Sequence, residues 1–188
     1  LATIHRDRHR NEQALIQTLA QLVQLDDKDE PSLRELVQLY ESLGRFRDLL
    51  GAQQRLAELS SDPSERAELY RAVARRWTDQ FSNVQNAIAA YEGLLAVDKS
   101  DAEARTKLRD LYTKRRAWDR LHALAALELE SAEGEARVEL LAEMAKLAAE
   151  RLDRGAEAIS LYKQILELDP RNFGVHDALE KQAEREKD

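Results

Sequence analysis

The chain has 188 residues, 29 basic and 36 acidic, for a net charge of −7, and it has no cysteine. The acidic balance leans away from nucleic-acid binding, which needs a basic surface to replace counterions. The missing thiols exclude disulfides, thiolate metal sites and a cysteine nucleophile. Three prolines and six glycines beside 43% hydrophobic and 35% charged residues describe a helix-rich, soluble composition.

Taken in order, residues 1–8 read as the end of a helix, a terminal stub. A helix follows near 11–25 and closes in the acidic turn 26–30. Pro31 suits the first turn of a helix to about residue 43, where Gly44 ends it. A helix over 45–59 is broken at 60–63, and Ser64 is placed to cap the next, over 64–80. Helices are expected at 83–97, 101–114, 117–130, 135–152 and 154–168. Nine full helices and the stub result, and 172–187 opens a further, partial hairpin. Connections of a few residues force consecutive helices antiparallel.

The organisation lies in a phrase that returns. Residues 158–170 read AISLYKQILELDP, with Ile159, Tyr162, Ile165, Leu166 and Leu168 on one side of a helix. AIAAYEGLLAVD at 87–98 and LIQTLAQLVQLD at 15–26 repeat it. Their terminal aspartates, Asp26, Asp98 and Asp169, are 72 and 71 residues apart (98 − 26 and 169 − 98). Shifting by 72 lays Tyr40 on Tyr112, Phe46 on Trp118 and Leu49 on Leu121. Shifting by 71 lays Ala74 on Ala145 and Ala87 on Ala158. The period is about twice the ~34 residues of a two-helix repeat, so the unit is a pair of hairpins. Pairs are expected at about 1–26, 27–98, 99–169 and 170–188, the last partial. The expectation is one array over 1–188, and a piece of a longer one.

At these residues the chain resembles the tetratricopeptide-repeat (TPR) family. Tyr70, Val73, Ala74 and Trp77, then Ala87 and Tyr91, match its two helices. Leu141, Met144, Ala145 and Ala148, then Ala158, Tyr162 and Pro170, match again. The alternate hairpins keep Leu33, Leu36, Tyr40, Gly44, Phe46 and Leu49, and Leu108, Tyr112, Trp118 and Leu121. They lose the small residue of the first helix to Val37 and Arg109. The late small residue of the second helix is lost at Leu56, Leu94, Glu128 and Ile165. The resemblance implies an all-α, right-handed α-solenoid of antiparallel helix hairpins. It also implies ligand contacts from the first helix of each hairpin, here Arg34, Gln38, Arg71, Arg75, Thr106, Asp110 and Lys146. The clamp of Lys and Asn one turn apart, used by the chaperone-adaptor subgroup, is not reproduced. Arg71 and Arg75 share a face and could hold an acidic peptide, or could pair with glutamates such as Glu68.

The sequence gives catalytic or metal chemistry little to rest on. His5 and His9 are four apart, as a metal pair requires, yet lack the rest of a zinc motif. His122 and His176 read as isolated surface or packing residues. Arg6, Arg8 and Arg10, and the run Lys114-Arg115-Arg116, are basic clusters on an acidic background. The acidic turn holding Asp26, Asp27, Asp29 and Glu30 lacks the order of a calcium loop. No phosphate loop or nucleophile motif is present. The expectation is a non-catalytic protein-binding scaffold in the cytoplasm, without cofactor or metal, taking a protein or peptide partner. The alternatives are a regulatory or sensor array in a larger protein, and a nucleic-acid-binding helical repeat. Self-association through end repeats is also open.

Overall fold

Long stretches rich in Ala, Leu, Glu, Gln and Arg and free of Pro and Gly have no cheaper conformation than helix once one face is covered. The structure, a computed structural model, describes residues 2–186, with side chains from Asn11 onward. Among these it has ten helices: α1 (Ala2–Leu25), α2 (Glu30–Ser42), α3 (Phe46–Leu59), α4 (Pro63–Asp79), α5 (Val84–Val97), α6 (Ala102–Arg115), α7 (Trp118–Leu129), α8 (Gly134–Glu150), α9 (Gly155–Leu168) and α10 (Phe173–Arg185). Connections of two to four residues turn each helix back on its predecessor. The fold is an all-α array of helical hairpins.

Two expectations about boundaries change. The stub and the helix over 11–25 are one helix, because nothing between Ala2 and Leu25 breaks it. The helix expected to start at Ser64 begins at Pro63 instead. Asp62 is its cap, accepting from the Ser64 N–H, and proline at the first turn has no amide to leave unpaired.

The terminal aspartates of the repeated phrase have a definite task. The Asp26, Asp98 and Asp169 amides donate to Leu22, Leu94 and Ile165, closing their helices at 2.8, 2.8 and 2.7 Å. Each carboxylate then accepts from the amide two residues on, at Lys28, Ser100 and Arg171. Three residues on stand Asp29, Asp101 and Asn172, each accepting from an amide in the first turn of the next helix. One turn, built three times, ends one helix and caps the next.

The turns inside hairpins alternate at the same period. Gly44 and Arg116, 72 apart (116 − 44), have φ of 65° and 53°. The following amides, Arg45 and Ala117, reach back to the Tyr40 and Tyr112 carbonyls at 2.8 and 2.9 Å. Ser82 and Asp153, 71 apart (153 − 82), have φ of 48° and 54°, and Asn83 and Arg154 donate to Trp77 and Ala148. The doubled repeat is thus written in the backbone as well as in the apolar positions.

The chain forms two compact units that divide inside α6, after Ala104. In unit 1, Ile16, Leu19 and Val23 of α1 pack with Leu33 and Leu36 of α2 and Leu56 of α3. Ala74 of α4 is fully buried, as are Ala87 and Tyr91 of α5. In unit 2, Leu141 and Ala145 of α8 pack with Ala125 of α7, Leu161 and Ile165 of α9 and Val175 of α10. The buried stripe of α9 runs through Ala158, Leu161 and Ile165. Tyr162 is only half-buried and Leu168, at the helix end, is exposed, which corrects the stripe expected around Tyr162. Phe46 is likewise 43% exposed, with the Arg76 guanidinium 5.5 Å over its ring. Trp118 is half-buried beneath Arg151.

Candidate functional site

A first helix with its apolar stripe buried in the hairpin leaves its remaining face to polar residues, and the seven candidate positions lie on such helices. Arg34 and Gln38 are on α2, Arg71 and Arg75 on α4, Thr106 and Asp110 on α6, and Lys146 on α8. All are exposed except Arg71, which is half-buried.

In unit 1 the arginines are held by acids of the next first helix. Arg34 forks onto Glu65 of α4, with Nη1 and Nη2 at 2.7 and 3.0 Å from its two oxygens, and also bonds Glu30. Arg71 donates to Asp101 at 2.7 Å, and Arg75 forks onto Glu103 at 2.9 and 2.5 Å. Asp101 is the N-terminal cap of α6, and its other oxygen accepts from the Ala104 amide. The partners are therefore Asp101 and Glu103 rather than Glu68. They lie 30 and 28 residues away, across the neighbouring hairpin.

The pairs differ in burial, and that decides their roles. The Arg75 side chain is 55% exposed, so its pair contributes little net stability. The Asp101 side chain is only 8% exposed, so Arg71 answers a charge that would otherwise be stranded.

These contacts set the acid response. Hydrogen bonds from Arg34 and Ser60 hold the Glu65 carboxyl below the usual range, and the Arg75 bond does the same for Glu103. Burial pushes Asp101 up, but Arg71 and the Ala104 amide together bring it below its ordinary value. A carboxyl depressed in the folded state stabilises above its unfolded pKa, about 4. That stability is lost as pH falls through the folded value. The urea midpoint is expected to hold from pH 7 to about 5 and to drop below about 4. Arg71→Met should lower the midpoint at pH 7 and flatten the drop. A midpoint rising on acidification would contradict the pairing.

In unit 2, Asp110 is engaged by Lys114 at 2.7 Å, and Lys146 lies exposed on α8. The more informative residue is Arg109, in the slot where the TPR pattern calls for a small side chain. It bonds Glu128, which fills the late small position of α7, and Glu143 of α8. Two apparent losses from the pattern are the two halves of an ion pair inside one hairpin. Burial works against the Arg109 charge, and the two glutamates outweigh it, raising its pKa.

The side chains of His5, His9, Arg6, Arg8 and Arg10 lie outside the described residues. His122 is buried on α7 with Nε2 3.4 Å from Glu157 of α9, and His176 Nε2 is 3.1 Å from the Pro170 carbonyl. Among the described residues no group of three or more His, Cys, Asp or Glu is arranged to hold a metal, and no helix is long and apolar enough to cross a membrane.

No family model matches the chain, and no curated protein sequence matches it. Several solved structures do. A thermophilic TPR protein of Thermus thermophilus is 16% identical, with 96% of this chain and 94% of that one covered and a TM-score of 0.39. The MamA protein is 18% identical over 89% and 90%, at a TM-score of 0.40. YrrB, described as a TPR protein with an unusual peptide-binding site, is 10% identical over 92% and 85%, at a TM-score of 0.38. The repeat assignment itself stands on the turns and buried positions of this chain. By those features it is an all-α array of helical hairpins whose repeating unit is a pair of hairpins.

Proposed function

We propose that the chain is a non-catalytic protein–protein interaction scaffold that takes an acidic peptide on the exposed face of its first helices. The observation that carries this is the Arg75 fork on Glu103, seated on a surface where the arginine is more than half open to solvent. The fork matches a carboxylate in geometry, and an exposed pair costs little to break, so an incoming carboxylate can take the place of Glu103. Arg34, which grips Glu65 in the same way, is a second such point, with Gln38 one turn further along α2. Arg71 plays the supporting part, fixing Asp101 so that Arg75 is correctly placed. In unit 2, Thr106, Asp110 and Lys146 are exposed on their own first helices and have mixed polarity.

The test is fluorescence anisotropy with a labelled synthetic peptide alternating glutamate and leucine, at low and high salt. Arg34→Ala with Arg75→Ala is expected to weaken binding about tenfold, roughly 1.4 kcal/mol, and to reduce its salt dependence. Unchanged affinity in that double variant would reject the first-helix face as the site.

A further inference from the structure

Unit 1 has two glycines in helix interiors, and packing accounts for one. At Gly93 of α5 an added Cβ would lie 2.4 Å from the buried Tyr70 ring, so nothing larger fits. At Gly51 of α3 an added Cβ would meet nothing within 4 Å. Glycine is among the poorest helix formers, and the fold gains no packing from it at this position. Aligned on the buried residues Leu49, Ala87, Leu121 and Ala158, the same place in α5, α7 and α9 holds Ala89, Ala123 and Ser160.

Gly51 lies on an open groove of about 290 Å³ formed by α1, α2 and α3. Val23, Leu33 and Leu36 lie beneath it and are only 3%, 1% and 4% exposed, so its floor is closed. Arg47 and Arg55 line it four residues to either side of Gly51, so α3 presents a cation, a bare stretch of backbone and a second cation in one row. Among the described residues neither arginine has a carboxylate partner, and Arg47 rests over the Phe81 ring at 5.7 Å. Asp48, the remaining charge on the groove, is neutralised by Arg45 at 2.7 Å. On a chain of net charge −7, this is a groove edged by two cations that have no carboxylate partner among the described residues.

We propose that the α1–α3 groove is a docking site for an acidic peptide segment of a partner protein. The segment sets carboxylates against Arg47 and Arg55 and passes its main chain close over Gly51. Charge complementarity selects an acidic partner, and the missing Cβ permits the close approach. This site shares no residue with the first-helix face and stands independently of it.

The experiment is a selection of random displayed peptides on the whole chain, followed by titration of the enriched peptides made synthetically. Enriched sequences are expected to be acidic. Gly51→Ala is the decisive variant. It should raise the melting temperature, because alanine is the better helix former, and still weaken these peptides about tenfold. Gly51→Leu should abolish their binding, Arg55→Glu should strongly reduce it, and Arg75→Ala should leave it unchanged. The proposal is overturned if no peptide is enriched, if those enriched are neutral or basic, or if Gly51→Leu still binds them. A lower melting temperature in Gly51→Ala, or loss of binding in Arg75→Ala, overturns it as well.

Discussion

Tyr91→Ala is expected to destabilise the protein by about 3–5 kcal/mol, among the largest effects of any single truncation. Tyr91 of α5 is wholly closed to solvent, in a helix packed on α4, whose Val73 and Ala74 are equally closed. The surroundings are rigid second-helix and first-helix backbones at close range, so the vacated space cannot collapse fully, and the cavity adds to the lost transfer energy. The related change Tyr162→Ala, at a matching position of α9, should cost roughly half as much because that ring is only half-buried. Urea unfolding measures both. In a repeat array each hairpin depends mainly on its neighbours, so hydrogen exchange in Tyr91→Ala should accelerate first in α4 and α5. Equal losses for the two tyrosines would show that burial is not what separates them.

Arg109→Ala should cost about 2–3 kcal/mol, more than its partial exposure suggests. The reason is what it leaves behind: the Glu128 side chain is only 15% exposed and would keep its charge without a partner. Glu143 of α8 would lose its contact as well. Adding Glu128→Ala should recover at least about 1 kcal/mol, since it removes the stranded carboxylate and restores the pair of small residues that the TPR pattern favours. A double-mutant cycle read from urea midpoints gives the coupling directly. A double variant less stable than Arg109→Ala alone would mean that the arginine serves mainly through its aliphatic packing.

What could be read beforehand, and what could not, follows from the range of the interactions involved. The doubled period was legible because apolar identity and turn residues are local and recur, as Asp26, Asp98 and Asp169 do. Helix registers came close for the same reason. The partners of Arg71 and Arg75 are not legible in the sequence because a helical rule looks three or four residues away, whereas Asp101 and Glu103 arrive from the next hairpin. In the sequence Arg109 and Glu128 look like two separate flaws, since nothing in a linear pattern joins positions 19 residues apart. On α9 the aromatic residue suggests a stripe around Tyr162, but the neighbouring helices cover the face carrying Ala158, Leu161 and Ile165. The α1–α3 groove did leave a trace, a helical glycine with an arginine four residues to each side.

The thrice-built aspartate turn bears on how such a chain can lengthen or shorten. Among the described residues its acceptor and its cap recur only after 71 or 72 residues, and the left-handed residue of the following hairpin turn, Gly44 and then Arg116, recurs after 72. Excising one hairpin would bring a helix ending in the aspartate turn against a junction built on Ser60-Ser61-Asp62, or the reverse. Excising a whole pair joins like to like, with each amide still meeting its carboxylate. Gain and loss of repeats should therefore proceed in even numbers of hairpins, and a shortened gene product missing just one would carry a mismatched seam.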